Sequence, residues 1–239
     1  IEYSFDNLKK NGLLLYITPS SWMGGTVGCY KNMITKQIVN LDVNECKKYF
    51  PKIGSTFSYY LIENRDIYKP TKVVCKYDDN IYNNDIMLSN EIKILPQLLT
   101  KEMISIMNKI CIWSQDKLFI RKDLLEDNTE WRTQHVSSEK NEIGQYPFLA
   151  YIQKDGKKDI QYYKYKMDTQ DYKKVMLFRH GYLNPTYDDG ENGVGNNIHY
   201  AKVETYEEGQ RLLSLYTSDL YKFIFSICKT SQFTNGRVM

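Results

Sequence analysis

Asn11-Gly-Leu-Leu-Leu-Tyr-Ile-Thr-Pro-Ser-Ser-Trp22 is the most informative segment of this 239-residue chain. A turn at Gly12 leads into an apolar run, residues 13–17, which predicts a buried β-strand. The strand ends at Thr18-Pro19, where a short polar loop begins. Open α/β sheets bind their ligands in loops at the carboxyl ends of strands. The segment therefore predicts one strand of an α/β domain with a binding site at its end.

The flanking sequence predicts more of the same domain. Phe50-Pro-Lys-Ile-Gly-Ser-Thr-Phe-Ser-Tyr-Tyr-Leu-Ile-Glu63 contains a long strand, 55–62. Large side chains alternate onto both of its sides, so we expect both of its faces to be covered. The remaining predicted elements are helices at 3–10 and 26–37, a short strand at 38–41 and one helical turn within 42–49.

The character of the sequence changes after Asn64, and a mixed α+β region is predicted there. The turn Lys154-Asp-Gly156 lies between two aromatic runs and indicates a β-hairpin. Pro96 suits the first turn of one helix, and Thr100-Lys-Glu-Met103 suits the start of the next. The other predictions are strands at 73–77, 175–178 and 199–203, a loop-rich stretch at 113–145, and helices at 206–216 and 218–228.

Composition and spacing exclude several classes of protein. The five cysteines are scattered without a Cys-x-x-Cys pair, so neither a disulfide framework nor a zinc site is indicated. Asp188-Asp189 before Gly190 is interpreted as a turn rather than as a pair of metal ligands. The sequence contains no Walker-type phosphate loop and no nucleophile elbow. A net charge of +3 is compatible with nucleic acid without being diagnostic. No apolar run approaches the roughly 20 residues of a membrane span, so we expect no membrane partner and a cytoplasmic location.

The order of several segments carries a family resemblance. Asn11 to Trp22 and then Phe50 to Ile62 are followed by Leu95-Pro96 with Ser105-Ile-Met-Asn-Lys109, by Lys174 to Gly190, and by Tyr216-Thr-Ser-Asp-Leu-Tyr-Lys-Phe223. In this order they resemble the gamma-class N6-adenine DNA methyltransferases of the Eco57I-like restriction–modification group. The resemblance extends over nearly the whole chain.

The resemblance implies a fold and a domain division. Residues 1–68 would be the C-terminal part of a Rossmann-like methyltransferase sheet, and 69–239 a mixed α+β target-recognition domain. It implies that Phe50 supports an adenine rotated out of the duplex, with Thr18 and Pro19 beside the pocket. Phe50 is equally compatible with a core residue that precedes a proline turn.

The resemblance also marks what this sequence lacks. The family's catalytic Asn/Asp/Ser-Pro-Pro-Tyr/Phe loop is absent, since no two prolines are adjacent. The motifs that bind S-adenosylmethionine are absent as well, because in the family both precede the segment at 11–22. We therefore expect a part of a longer site-specific adenine DNA methyltransferase, with no catalytic, cofactor-binding or metal-binding residues of its own. Its expected partners are double-stranded DNA and the preceding catalytic half of the polypeptide.

Recognition of the DNA sequence would be the role of the second region, residues 69–239, where the residue types suit contacts with bases and phosphates. Arg and Asn side chains pair with guanine and adenine edges, whereas lysines contact phosphates. In isolation, asparagines and glycines of this kind also simply build turns. The candidate base contacts are Arg179, His180, Tyr182, Asn184, Tyr187 and His199, and the candidate phosphate contacts are Lys154, Lys157, Lys158, Lys164 and Lys166.

Two other interpretations stay open at this point. The chain could be a non-catalytic specificity module, or a degenerate or split fragment with a structural role. The strand at 13–17 argues against a stand-alone reader of DNA, which has no use for half of a cofactor-binding sheet.

Overall fold

The computed structural model describes residues 2–25, 28–110, 119–121, 125–126, 128–178 and 183–229. The chain is a mixed α/β protein that divides into two compact units. Ile1–Gln115 and Ile224–Val238 form the first unit, and Asp116–Phe223 form the second. The division differs from the boundary predicted after residue 68, because strands on both sides of that residue pair within one sheet of the first unit.

A five-stranded mixed sheet, in the order β1-β3-β2-β4-β5, organises the first unit. Its strands are β1 Leu13–Pro19, β2 Lys36–Asp42, β3 Phe57–Asp66, β4 Thr71–Tyr77 and β5 Asn80–Ile86. β3 is antiparallel to both β1 and β2, β2 runs parallel to β4, and β5 returns antiparallel. The four strands predicted in this region are confirmed. β5 was not predicted, since its polar residues lack the pattern of a strand.

One face of this sheet is buried under helical segments. The helical segments before residue 111 are α1 Glu2–Asp6, α2 Cys29–Ile34 and α3 Lys101–Ile110, with 3-10 helices at Ser20–Gly24 and Glu45–Tyr49. Trp22 packs edge-on against Tyr60 of β3 and lies next to Tyr30 of α2. The Trp22 indole Nε1 donates to Ser58 Oγ at 2.9 Å, so both of these buried polar groups have a hydrogen-bond partner.

The helix predicted after Pro96 does not form. Residues 92–97 are irregular although they are largely buried. The Leu95 amide donates to the carbonyl of Met23, and the Gln97 amide donates to the carbonyl of Ile227. Tertiary hydrogen bonds thus take the amides that a helix would need, whereas the helix predicted from Thr100 is present as α3.

The second unit is built from two four-stranded sheets, β11-β10-β13-β6 and β12-β8-β9-β7. The strands are β6 Ile120–Arg121, β7 Val136–Ser137, β8 Tyr146–Ile152, β9 Lys158–Tyr163, β10 Lys174–Phe178, β11 Thr186–Asp188, β12 Gly193–Val194 and β13 Ile198–Lys202. Leu149 and Val194 of the second sheet pack with Met176, Phe178 and Tyr200 of the first. The predicted hairpin and the strands at 175–178 and 199–203 are confirmed.

Three helices accompany these sheets: α4 Thr129–His135, α5 Tyr206–Thr217 and α6 Asp219–Cys228. The Thr205 side chain accepts a hydrogen bond from the Glu208 amide, as the predicted cap requires. α4 lies within the stretch 113–145, which was predicted to be loop-rich. This helix was not predicted, because its seven residues are too few to show a helical pattern. The last part of α6, from Ile224, belongs to the first unit.

Asp188 ends β11 as part of a buried ion pair. Its carboxylate lies 2.6 Å from the Lys174 ammonium on β10, and both side chains are almost fully excluded from solvent. Asp188 also accepts hydrogen bonds from the amides of Gly190 and Asn192 and from the Asn192 side chain. Gly190 has φ 97°, which favours glycine. The interpretation of this segment as a turn is therefore confirmed.

Candidate functional site

The aromatic pair at the carboxyl end of β1 is the feature closest to the predicted base pocket. The rings of Phe50 and Phe57 are stacked, with centroids 4.4 Å apart and planes at 16°. Lys47 braces the chain next to them, since its ammonium donates to the carbonyls of Phe50 and Ile53. Phe50 is half-buried, so its ring packs against Phe57 and still exposes part of its surface to solvent. Phe57 was not predicted to belong to the pocket, although it lies within the predicted strand 55–62 and begins the observed β3.

The three pocket residues predicted from sequence do not share one face of the sheet. Pro19 is the cross-strand partner of Phe57 and lies on the side of the Phe50–Phe57 stack. Thr18 points to the opposite, helix-covered face, where its hydroxyl lies 3.3 Å from the hydroxyl of Tyr60. Burial raises the pKa of Tyr60, so that hydroxyl stays neutral. The structure therefore brings Pro19 and Phe50 together and places Thr18 elsewhere.

The face that carries Pro19 is apolar and open along β1. Leu13, Leu15 and Ile17 are 61%, 58% and 53% exposed. On β3 the same face carries Phe57, Tyr59 and Leu61, which are half-buried. Both faces of the strand predicted at 55–62, which is β3, were expected to be covered. One face of β3 is buried, and the other is only partly covered. Among the described residues β1 pairs with β3 alone, which leaves its other edge open.

A polar cleft of about 400 Å³ lies farther along the same face, between β2, β4 and β5. Asn40, Asp42, Lys72, Asn83 and Asp85 contribute to its lining. Burial raises the pKa of Asp42, although backbone amides oppose the shift. Its Oδ1 accepts from the amides of Glu45 and Cys46, so this carboxylate caps the 3-10 helix that follows β2. The cleft was not predicted from sequence.

In the second unit, the β8–β9 hairpin presents three of the predicted phosphate contacts. Lys154, Lys157 and Lys158 are exposed, and no ion pair of the described residues involves them. The Asn184 side-chain amide donates to the carbonyls of Gln153 and Lys154. This contact fixes the hairpin turn beside the segment that follows β10. Arg179, His180 and Tyr182 lie outside the described residues.

The other predicted base contacts, Asn184, Tyr187 and His199, make contacts within the second unit. Asn184 uses its amide on the hairpin, and Tyr187 packs edge-on against Tyr206 of α5. Desolvation and a hydrogen bond to Asp189 raise the pKa of the Tyr187 hydroxyl to about 12. His199 is half-buried in β13, paired with Leu177 on one side and Arg121 on the other. Of these residues, Asn184 is joined to the lysine hairpin by its hydrogen bonds.

Lys164 and Lys166 lie beyond the opposite end of β9 from Lys158. The six residue steps from Lys158 to Lys164, at about 3.4 Å each, place these two groups of lysines roughly 20 Å apart. Lys166 forms an ion pair with Asp171. The Lys164 ammonium lies 5.5 Å from the centre of the Tyr165 ring. The predicted phosphate contacts therefore form two separate groups.

Comparison with known proteins adds no assignment. No protein-family model matches the sequence, and no curated protein matches it significantly. Within the described ranges, no three Cys, His, Asp or Glu side chains come together as metal ligands would. None of the helices described is both long and apolar enough to cross a membrane.

Proposed function

We propose that this chain is the C-terminal part of a site-specific adenine-N6 DNA methyltransferase of the restriction–modification type. Its first unit supplies one wall of the pocket for a flipped adenine, and its second unit recognises double-stranded DNA. The intact enzyme uses S-adenosylmethionine, which binds to the preceding catalytic half of the polypeptide. In this proposal the sheet of the first unit belongs to a larger Rossmann-like methyltransferase sheet.

The open apolar face of β1 is the observation that carries the proposal. Fully burying a Leu or Ile side chain contributes about 1.5–3 kcal/mol, and three such side chains are more than half exposed here. A run such as Leu-Leu-Leu-Tyr-Ile is typical of strands that are covered on both sides. The proposal requires that further protein cover this face. A DNA-binding module that acts alone would not explain why the face is exposed and apolar.

The Phe50–Phe57 stack supports a role in holding a base. It lies at the carboxyl end of β1, where open α/β sheets bind ligands. An aromatic face contributes about 1–3 kcal/mol per stacked base. Because Phe57 lies under Phe50 and Lys47 braces the loop, the outer ring is held in place before a base arrives. The base therefore meets a preorganised surface.

The lysine hairpin supports binding of duplex DNA by the second unit. Its three ammonium groups extend from one exposed turn, and Asn184 holds that turn in place. Each phosphate contact to B-DNA contributes about 0.9 to the slope of log affinity against log salt concentration. Replacing Lys154, Lys157 and Lys158 together by alanine should therefore reduce the slope by about 2.7.

Fluorescence anisotropy of a labelled duplex, titrated with the chain at several salt concentrations, tests the proposal. A matched control removes three exposed lysines, Lys9, Lys10 and Lys69, near the amino end of β1. We expect the control to keep the wild-type slope. A hairpin variant that behaves like the control, or no binding of the duplex at low salt, would refute the DNA-reading role.

Methyl transfer is tested separately. The chain alone, incubated with duplex DNA and radiolabelled S-adenosylmethionine, should transfer no methyl group. Co-expression with the preceding half of the polypeptide should restore the transfer to adenine. Methylation by the isolated chain would overturn the division of labour that we propose.

A further inference from the structure

An aromatic cluster lies at the end of β9 that is remote from the lysine hairpin. Trp131 and His135 of α4 are stacked, with ring centres 4.6 Å apart and planes at 15°. Tyr163 of β9 lies 5.8 Å from Trp131, and Tyr165 lies 6.2 Å from His135. Tyr163 and Tyr165 meet edge to face at 5.6 Å. We call these four residues, together with Lys164, the aromatic ledge.

The inner part of the ledge is fixed by the core of the second unit. Trp131 and Tyr163 pack against the buried cluster of Leu125, Phe148 and Met167. The Asn128 side chain caps α4 by accepting from the amides of Glu130 and Trp131. These contacts fix the rings of Trp131 and Tyr163. The conformational entropy of these two side chains therefore need not be lost when a ligand binds.

The outer part of the ledge has no packing explanation. Tyr165 is 53% exposed, although its ring belongs to a cluster of four. The Lys164 amide donates to the His135 carbonyl, which ties the start of this segment to α4. The Lys164 side chain then returns over the Tyr165 ring, and its ammonium has no carboxylate partner among the described residues. The exposed Tyr165 ring and an ammonium without a carboxylate partner in the described part of the chain therefore lie next to each other.

The chemistry of the ledge decides which ligand fits. A cage for a cationic ligand needs separated rings, whereas Trp131 and His135 are in direct stacking contact. The Lys164 ammonium at the Tyr165 ring also disfavours a cation. A nucleotide offers an aromatic base for the ring and an anionic phosphate for the ammonium. A base inside a duplex is stacked on its neighbours, so the ring can reach only an unpaired base.

We propose that the aromatic ledge is a second DNA contact, which stacks an unpaired base on Tyr165 and His135 and holds its phosphate with Lys164. This inference deepens the proposed DNA-reading role of the second unit and rests on it. It assigns Lys164 to single-stranded DNA and leaves duplex binding to the hairpin lysines.

The test is binding of a fluorescein-labelled single-stranded oligonucleotide of mixed sequence to the full chain, measured by anisotropy across a salt series. Tyr165→Ala should weaken binding about 5- to 150-fold at every salt concentration, with the salt slope unchanged. Lys164→Ala should reduce the slope by about 0.7, the value for one phosphate contact to a single strand. Tyr165→Phe keeps the ring and should bind within about two-fold of wild type.

The second unit offers matched controls for both changes. Tyr206 is also 53% exposed. Lys202 also holds its ammonium over a tyrosine ring, 5.4 Å from the centre of Tyr172. Tyr206→Ala and Lys202→Ala should leave binding of the single strand unchanged. If Tyr165→Ala binds as tightly as Tyr206→Ala, the ledge is not a base-stacking site.

The duplex measurement separates this inference from the proposed function. Duplex binding that depends on the hairpin lysines, together with single-strand binding that ignores Tyr165, overturns the ledge alone. Single-strand binding that depends on Tyr165, without any duplex binding, supports the ledge and overturns duplex recognition. Absence of both kinds of binding at low salt overturns both.

Discussion

The buried ion pair between Lys174 and Asp188 predicts an asymmetric effect of removing either partner. Removing one member of a buried pair typically costs about 3–5 kcal/mol, because the other charge is left uncompensated. Among the described residues, the ammonium in Asp188→Ala retains one hydrogen bond, to the carbonyl of Tyr172 at 3.4 Å, and lies 5.6 Å from the centre of the Tyr172 ring. In Lys174→Met the carboxylate still accepts from Gly190 and from two groups of Asn192. We therefore expect Asp188→Ala to reach the upper part of that range, about 5 kcal/mol, and Lys174→Met the lower part, about 3 kcal/mol.

Replacing both partners, with Asp188→Asn as a further single variant, completes a double-mutant cycle. Lys174→Met combined with Asp188→Asn removes both charges and keeps an acceptor for the turn, so it should be less destabilising than Asp188→Ala alone. Urea unfolding followed by circular dichroism measures the free energy of unfolding, and hydrogen exchange of the β10 peptide localises the effect to the second unit. A loss in Asp188→Ala equal to that in Lys174→Met, or a double variant whose loss equals the sum of the losses in Lys174→Met and Asp188→Asn, would refute the reasoning.

The same pair predicts how stability depends on pH. Burial opposes ionisation of Asp188, but hydrogen bonds from Lys174 and Asn192 and the Lys174 charge hold its pKa below the usual value. A carboxyl with a lowered pKa in the folded state adds stability that is fully present above its ordinary pKa of about 3.9. That stability is lost as the pH falls below about 4, towards the lowered value. Wild type should therefore lose more stability on acidification than the variant without charges at 174 and 188.

Three further changes test the packing around the candidate sites by urea unfolding. Phe50→Ala removes the ring stacked on Phe57 and should cost about 1 kcal/mol beyond the lost burial, whereas a cost near zero would mean that the stack is not formed. Gly209→Ala places a methyl group 2.6 Å from the ring of Tyr187 and should cost about 1–3 kcal/mol. In a Tyr187→Ala background the same change should instead stabilise α5 by up to about 1 kcal/mol, and a loss in both backgrounds would contradict the clash. Thr205→Ala removes the cap of α5 and should cost about 1 kcal/mol, while Thr205→Ser serves as the control that keeps the cap.

Local pattern predicted the elements whose stability is also local. The Thr205 cap, the Lys154-Asp-Gly156 turn and the alternation in β3 each depend on residues within one element. The helix expected after Pro96 failed because the amides of Leu95 and Gln97 bond to carbonyls of Met23 and Ile227, which are remote in the sequence. β5 was not predicted because its polar residues lack the pattern of a strand. It forms a strand through its antiparallel pairing with β4.

The candidate sites show the same limit. Sequence reasoning selected Phe50 and Pro19 and could not find Phe57, whose part in the stack depends on its cross-strand position opposite Pro19. It also grouped five lysines by type, although β9 separates them into two sets. The aromatic ledge is assembled from α4 and β9 and has no signature in either segment alone.

Under the proposed function, the two faces of β1 determine on which side of the sheet a base would lie. Successive side chains of a strand point to opposite faces, so Thr18 and Pro19 cannot both line one pocket. Thr18 is engaged with Tyr60 under the helical cover, where Trp22 fills the remaining space. Pro19 shares its face with the Phe50–Phe57 stack and with the exposed Leu13, Leu15 and Ile17. A protein segment that covers those aliphatic side chains would extend towards the same stack, because all of them lie on one face of the same two paired strands. The Phe50–Phe57 stack and the exposed aliphatic side chains of β1 are thus one continuous surface. Under the proposed function, a base on Phe50 would lie at the boundary between this chain and the catalytic half.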